Sequence, residues 1–325
     1  MHIKSVLTDA LALTSCFLGL ATAEAATTDY PSRPIKLVVP ASAGSSADLA
    51  ARILAKKLST ILGQSLVIEN KVGAGGRIGT ADAARATPDG YTLFYGTSIT
   101  QALYPALVRP LPYDPLRDFV PLGQTFWFAT MIVCNSQMPF TDLKGLVDFA
   151  RDNPEKLSFA NSGLGGGNHF SNALFAKAAN ITIQHIPFRG NAPGIQAVVG
   201  NFVNCSSQTE VKSFVEGGPI RAYATTGKDR DPRFPDVPTL GEAGFPAATT
   251  TWWHALYAPN GTPAAVVEKL QEAVREFSRD PNVGTQTSEI GLFPQYLGPE
   301  EVAQRTKDDI ELFGKVARES DLRLD

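Results

Sequence analysis

The chain has 325 residues, 43% of them hydrophobic and 19% charged, with a formal net charge of −3. That length accommodates two domains with cores of their own. The balance excludes a disordered chain and one dominated by a basic nucleic-acid face, so no nucleic-acid partner is expected.

Residues 1–25 stand apart. A head bearing Lys4 precedes an apolar run over residues 11–20, and Ala23-Glu24-Ala25 follows. This is the layout of an export signal, too short to span a bilayer. A competing reading takes Leu13-Thr14-Ser15-Cys16 as a lipoprotein box that leaves a lipid anchor on Cys16. The apolar run continues past Cys16, which favours plain export. No later stretch reads as transmembrane. Export leaves Cys134 and Cys205, each at the end of an apolar strand-like run. An oxidising compartment lets them pair, and two buried free thiols leave the same pattern.

Residues 35–39 form a β-branched and aliphatic run, a strand that Pro40 ends. A loop of small residues from Ala41 to Ser46 follows, and then Leu49, Ile53, Leu58 and Ile61 recur at helical spacing. Ser45 or Ser46 is placed to cap this helix, with Asp48 in its first turn. A Gly/Ser loop between a strand and a helix N-terminus offers unpaired amides and hydroxyls to an anion, although an ordinary α/β turn reads the same way. A second strand at 66–69 leads into the glycine-rich turn 72–79 and a helix through Ala86. The glycines miss the dinucleotide fingerprint, which leaves Gly75 as a backbone donor on the same sheet edge. A third strand, 91–95, runs into Gly96-Thr97-Ser98. Three successive strands thus end in small polar residues, and open α/β sheets bind ligands beyond the carboxyl ends of their strands.

Residues 101–121 are proline-rich and irregular. The apolar run from Gly123 to Cys134 is longer than a typical strand and reads as a crossing between domains. Thr141 is placed to cap a helix with Leu143, Leu146, Val147 and Ala150 inward. A strand at 157–160 then meets residues 161–169, dense in glycine, and a further helix, so the strand–loop–helix device recurs. His169, at that helix start, reads either as a core or capping histidine or as a ligand contact. Strands follow at 181–188, 202–209 and 220–226, with Arg189 to Gly194 opening a helix between the first two. A Gly/Pro/Asp-rich loop spans 227–248, and the run 249–258, with Trp252 and Trp253, reads as the second crossing. Thr262 and Pro263 are placed to begin the next helix and Pro299 the last. The expected fold is α/β with two domains, each a mixed sheet flanked by helices. Residues 26–127 with 250–325 form the first and 128–249 the second, joined by two crossover strands about a cleft.

Chemistry is harder to assemble. The chain contains no HExxH, no Cys/His metal spacing and no glycine-boxed serine. A Ser162–His169 nucleophile pair is conceivable, but the spacing does not require it. No metal and no cofactor are expected, and glycine/serine loops facing each other across a hinge describe a clamp rather than an enzyme.

Several motifs carry a family resemblance: Tyr30-Pro31-Ser32-Arg33-Pro34-Ile35, Val39-Pro40, Asp48-Leu49-Ala50-Ala51-Arg52, and residues 70–79. Pro88-Asp89-Gly90-Tyr91-Thr92-Leu93, Leu111-Pro112-Tyr113-Asp114-Pro115, Pro187-Phe188-Arg189-Gly190, Pro235-Asp236-Val237-Pro238-Thr239 and Thr251-Trp252 extend it. The sequence resembles the tripartite tricarboxylate transporter substrate-binding proteins, the Bug family of bacterial periplasmic receptors. The resemblance implies a monomeric, type II-like flytrap that closes on a small carboxylate and delivers it to a two-component membrane permease or, in some members, signals to a partner. It implies ligand contacts from Ala43, Gly44, Ser45 and Ser46 together with Thr97 and Ser98. In the second domain it implies Ser162, Gly163, Gly166, Gly167, Asn168 and His169, with bridging waters completing the contacts. Gly75 is added from the second loop, and Gln208 and Thr209 from the strand where relatives often carry an acidic residue. Two departures bear on the cargo. Ala41-Ser42-Ala43-Gly44 stands where the family has Phe and two prolines, which widens the pocket, and neutral Gln208 suits a dicarboxylate or an aromatic carboxylate. Phe126, Trp127 and Trp252 near the hinge read either as aromatic contacts or as packing.

Overall fold

A computed structural model describes residues 30–163 and 165–320, so the expected export signal and Cys16 lie outside the described residues. Strands β1 (Ile35–Val39), β2 (Leu66–Asn70), β3 (Thr92–Thr97), β4 (Phe119–Phe128), β10 (Trp252–Pro259) and β11 (Phe293–Leu297) make one sheet, in the order β11-β4-β10-β3-β1-β2. β1 pairs in parallel with β2 and β3, and the β10 and β11 pairings are antiparallel. The other sheet contains β5 (Met131–Asn135), β6 (Ser158–Asn161), β7 (Gln184–Pro187), β8 (Cys205–Gln208) and β9 (Ile220–Thr225), in the order β7-β6-β8-β5-β9. It is mixed as well, with β6 parallel to β7 and β8, and β5 antiparallel to β8 and β9.

Helices α1 (Ser46–Leu62), α2 (Arg77–Ala84), α3 (Tyr104–Leu107), α8 (Ala264–Ser278), α9 (Pro281–Ser288) and α10 (Pro299–Ser320) belong to the first sheet's domain. Helices α4 (Leu143–Asp152), α5 (Gly167–Ala179), α6 (Asn191–Val199) and α7 (Lys212–Glu216) belong to the second. Among the described residues, no helix is long and apolar enough to cross a membrane. α9 and β11 carry no clear periodic pattern in the sequence.

The buried face of α1 is only in part the one that Leu49, Ile53, Leu58 and Ile61 mark. Leu49, Ile53 and Ile61 are only partly buried, whereas Ala47, Ala50, Ala51, Leu54, Ala55, Leu58 and Leu62 face the core. Four alanines on that face let the helix lie close to the sheet, a contact that a count of large side chains overlooks. Helix α4 buries Leu143, Leu146, Val147 and Ala150 as its spacing requires. Its cap is Asp142 rather than Thr141, accepting from the Gly145 amide at 2.7 Å. Helix α8 begins one residue later than expected, with Pro263 at the N-cap and the Thr262 hydroxyl turned back to the Pro259 carbonyl.

The apolar run from Gly123 to Cys134 is two strands rather than one. It breaks at Ala129-Thr130, so β4 stays in the first sheet and β5 starts the second. Threonines from separate segments meet at this break. The Thr130 amide donates to the Thr226 hydroxyl at 3.1 Å, the Thr226 amide to the Thr130 carbonyl at 2.9 Å, and the Thr226 hydroxyl to the Thr250 carbonyl at 3.0 Å. The crossing segments are therefore tied to one another where the chain changes sheets.

Cys134 and Cys205 stand opposite each other on β5 and β8 and are joined by a disulfide. The residues that follow Cys205 run directly toward the space between the sheets, so the bond pins the base of that strand. Closing a loop with a sequence separation of 71 removes about 4 kcal/mol of unfolded-chain freedom on the entropic account. Reduction, or the double change Cys134→Ala and Cys205→Ala, is expected to lower unfolding stability by up to that amount. A denaturation midpoint indifferent to reductant, with both thiols then titrating as free, contradicts this.

The start of α1 is organised by one acid. Asp48 is buried, and its carboxylate accepts from the Gly44 amide at 2.8 Å, from Arg52 Nε at 2.9 Å and from Asn70 Nδ2 at 2.9 Å. Ser45 caps the helix by accepting from the Asp48 amide at 3.3 Å, so the loop and the helix satisfy each other's orphan donors. Burial pushes the Asp48 carboxyl up, but the bonds from Arg52, the Gly44 amide and Asn70 outweigh it and hold it below the usual carboxylate range. The stability that this ionised form carries is complete above about pH 4 and is lost as pH falls through the lowered folded value. Asp48→Ala is expected to cost about 2–3 kcal/mol at neutral pH, with the gap to the parent protein narrowing in acid. Denaturant titrations at neutral and strongly acidic pH check this; a gap that does not change with pH contradicts it.

Candidate functional site

The strand ends and helix starts of both sheets converge on one cleft of about 690 Å³. From the first sheet come the loop after β1, the turn before α2 and the end of β3. The second sheet contributes the loops after β6 and β7 and the end of β8. Ser45 and Ser46 bring the N-terminus of α1, and Gly75 and Gly76 bring that of α2. Gly166 and Gly167 bring the N-terminus of α5, and Gly190 and Asn191 that of α6. Each end carries amides that its own helix cannot satisfy, together with the positive pole of the helix dipole.

Glycine is required where these loops crowd together. Gly76 has φ +96°, and a Cβ there would lie 2.6 Å from the Pro40 carbonyl oxygen; at Gly75 one would collide with the Tyr104 hydroxyl. At the end of β3, Thr97 and Thr100 each accept the other's amide through the hydroxyl at 3.2 Å, which fixes both side chains beside the cleft. The second-sheet wall is fixed similarly. Asn168 Oδ1 accepts from the Ser162 amide at 3.1 Å and from the Ser162 hydroxyl at 2.9 Å. That orientation leaves Asn168 Nδ2 buried with no protein partner among the described residues. Ser162 thus bonds to an amide and not to an imidazole, so no nucleophile–base pair forms.

Of the residues expected at the site, Ser45, Ser46, Gly75, Thr97, Ser162, Gly166, Gly167, Asn168, Gln208, Thr209 and Trp252 line the cleft. Ala43 and Gly44 do not. Both are exposed, and the Gly44 amide is already spent on Asp48. The Ser98 hydroxyl accepts from the Trp253 amide at 3.1 Å and anchors β10 instead. Gly163 forms the turn behind the wall, its carbonyl accepting from the Gly166 amide. His169 lies behind the same wall, with Nδ1 accepting from the Gly165 amide at 3.1 Å and its ring edge-to-face with His185. Burial lowers the pKa of both imidazoles, that of His185 to about 4. Phe126 packs edge-on against Phe277 in the core, and the half-buried Trp127 packs against Phe293 on β11, so neither lines the cleft.

Sequence reasoning left out Ser42, Arg189, Asn191, Ser207 and His254, all of which line the cleft. A signal existed for Arg189 and Asn191, because Arg189-Gly190-Asn191 is a fourth small-residue turn between a strand and a helix. His254 sits in an aromatic strand and gives no such signal. Arg189 is the one charged residue in the lining; it is exposed and forms no ion pair among the described residues. Among the described residues, no carboxylate lines the cleft. Glu210 lies behind Asn191, accepting from its Nδ2 at 3.4 Å, and burial pushes its carboxyl up. The rims of the two lobes adjoin, since a Cβ on Gly190 would lie 3.5 Å from the Ser42 hydroxyl and one on Gly167 3.3 Å from the Trp252 ring. Among the described residues, no cluster of His, Cys, Asp and Glu is arranged to hold a metal.

Comparison with known proteins agrees with this architecture. The profile of the Tripartite tricarboxylate transporter family receptor matches residues 50–322. The UPF0065 protein in the tcbD-tcbE intergenic region of Pseudomonas sp. (strain P51) is 35% identical over 293 residues, covering 88% of this chain and 86% of that protein. Rpa4515 of R. palustris, solved with adipate, superposes with a TM-score of 0.86 at 31% identity, covering 90% of this chain and 99% of the other. MatC from Rhodopseudomonas palustris, solved with bound malate, gives a TM-score of 0.81 at 31% identity over 88% of this chain and 99% of its own. A family profile covering most of the chain and relatives of this similarity, on a two-lobed flytrap fold, establish that the protein belongs to the tripartite tricarboxylate transporter receptor family.

Proposed function

We propose that this protein is a periplasmic receptor that captures a dicarboxylate between its two lobes and hands it to a two-component membrane permease. One observation carries the reading: helix N-termini from both lobes, α1 and α2 on one side and α5 and α6 on the other, meet at a cleft whose only charged lining residue, among the described residues, is Arg189. An anion is the ligand that such a lining stabilises, and its carboxylate oxygens form charge-assisted bonds with the free amides and hydroxyls. Donors on both lobes favour two anionic groups over one. They also give the ligand a hand in closure, since each lobe then gains by gripping one end. Adipate in Rpa4515 and malate in MatC are both dicarboxylates, and they support the same class here. An aromatic monocarboxylate is the second candidate, favoured by Phe128, Tyr104 and Trp252 in the lining. As a transport-family receptor the protein performs no turnover, and ligand release takes the place of a chemical step.

Thermal melts in the presence of mono-, di- and tricarboxylates and benzoates test this, because a ligand that binds only the folded form raises its apparent stability. A dicarboxylate is expected to give the largest rise. Arg189→Glu, an exposed change that leaves the core intact, is expected to weaken that binding about tenfold or more, with a smaller effect at high salt. Stabilisation by amines or neutral compounds, with none by any acid, contradicts the assignment.

A further inference from the structure

A second set of contacts between the lobes lies outside the cleft, and one arginine is at its centre. Arg233 sits on the loop after β9, which returns to that strand where the Thr225 amide donates to the Pro238 carbonyl at 2.9 Å. Its side chain is 4% exposed, and that of its partner Asp231 is 5% exposed. The pair is two-pronged, with Nε donating to Oδ1 at 3.0 Å and Nη2 to Oδ2 at 2.6 Å. The third nitrogen, Nη1, donates to two carbonyls, that of Thr209 in the same lobe at 2.8 Å and that of Glu289 in the other at 3.3 Å.

A buried ion pair is costly unless the donors left over find partners. Here the last of them is satisfied where the two lobes meet, so the pair does more than hold its own loop. The opposite lobe is shaped to receive it. Glu289 is the C-cap of α9, where carbonyls lack helical partners and the dipole favours a cation. Gly291, two residues on, has φ +76°, and a Cβ there would collide with the guanidinium. The exposed Glu289 side chain adds a second tie across the lobes by meeting Lys212 Nζ at 2.7 Å. On the near side, Thr209 ends the stretch Ser207-Gln208-Thr209 that lines the cleft. The guanidinium therefore reaches from the ligand wall of one lobe to a helix end of the other.

We propose that Arg233 is a positioning residue for capture. It ties the Thr209 end of the ligand wall to the C-terminus of α9, and so sets the alignment of the lobes at which donors from both sides reach one ligand. A binding-competent alignment that is populated before the ligand arrives raises the apparent affinity. The inference rests on the reading of capture between the lobes and does not depend on the length or substitution of the acid.

Calorimetric titration with malate and with adipate, together with small-angle X-ray scattering of the ligand-free protein, tests it. Asp231→Asn combined with Arg233→Gln removes both charges at once, so neither is left buried alone. This variant is expected to bind the acids about fivefold or more weakly and, without ligand, to have a larger radius of gyration than the parent. Either change without the other, or neither, overturns the inference and leaves the carboxylate reading intact. If the variant does not fold, Lys212→Glu carries the test by setting two like charges across the lobes at an exposed tie. It is expected to weaken binding about two- to fivefold, and adding Glu289→Lys, which restores opposite charges, is expected to recover the loss. In that case no loss, or a loss without recovery, overturns the inference. Failure of malate, adipate and every other acid to bind the parent overturns both readings.

Discussion

A helix begins with amides that none of its own residues can satisfy, and in this fold four helices begin at the same place. That constraint organises the site more than any single side chain does. The loops that deliver α1, α2, α5 and α6 to the cleft are rich in glycine and other small residues, and at Gly76 a larger residue would collide with the Pro40 backbone. The donors are backbone groups held by packed strands, so little reorganisation is needed to receive a charge. Asp48 shows how the arrangement is secured. It absorbs the Gly44 amide and the Asn70 and Arg52 side chains outside the cleft, leaving Ser45 and Ser46 to face inward.

The two-lobed construction sets the cleft between two sheets joined by crossing segments. The lobes are connected where the sheets exchange chain, and the threonine bonds at Thr130, Thr226 and Thr250 make that junction a defined pivot instead of a loose tether. The disulfide joins β5 and β8 at the end of their pairing away from that junction. Contacts also run between the lobes away from the cleft. Lys212 meets Glu289 at 2.7 Å, and Arg233, paired with Asp231, donates to the carbonyls of both Thr209 and Glu289. Thr209 lines the cleft, so the same arginine touches the ligand wall and the opposite lobe.

Much of this was legible in the sequence, for identifiable reasons. The run from β1 through the small-residue loop to α1, the glycine-dense stretch before α5 and the buried face of α4 are local patterns that tertiary structure did not override. The family resemblance supplied the flytrap and its class of cargo, which backbone-donor loops alone do not name. What stayed hidden depends on direction. Whether Ser42 or Gly44 faces inward is decided by Asp48 from one turn along, and the buried side of α1 sets four alanines, which carry little periodic signal, beside Leu54, Leu58 and Leu62. His169 stands beside the glycine loop in sequence yet behind it in space. His254 reads as one more residue of an aromatic strand until β3 and β4 flank it and leave its ring at the cleft floor.

The central claim is that charge recognition by converging helix N-termini drives capture. The most direct measurement is the affinity of a dicarboxylate compared with that of its uncharged diamide, which has the same length and nearly the same shape. The account predicts that the diamide binds at least about a hundredfold more weakly, the loss of two charge-assisted contacts. Equal affinities would contradict it and would make shape and apolar burial the basis of recognition.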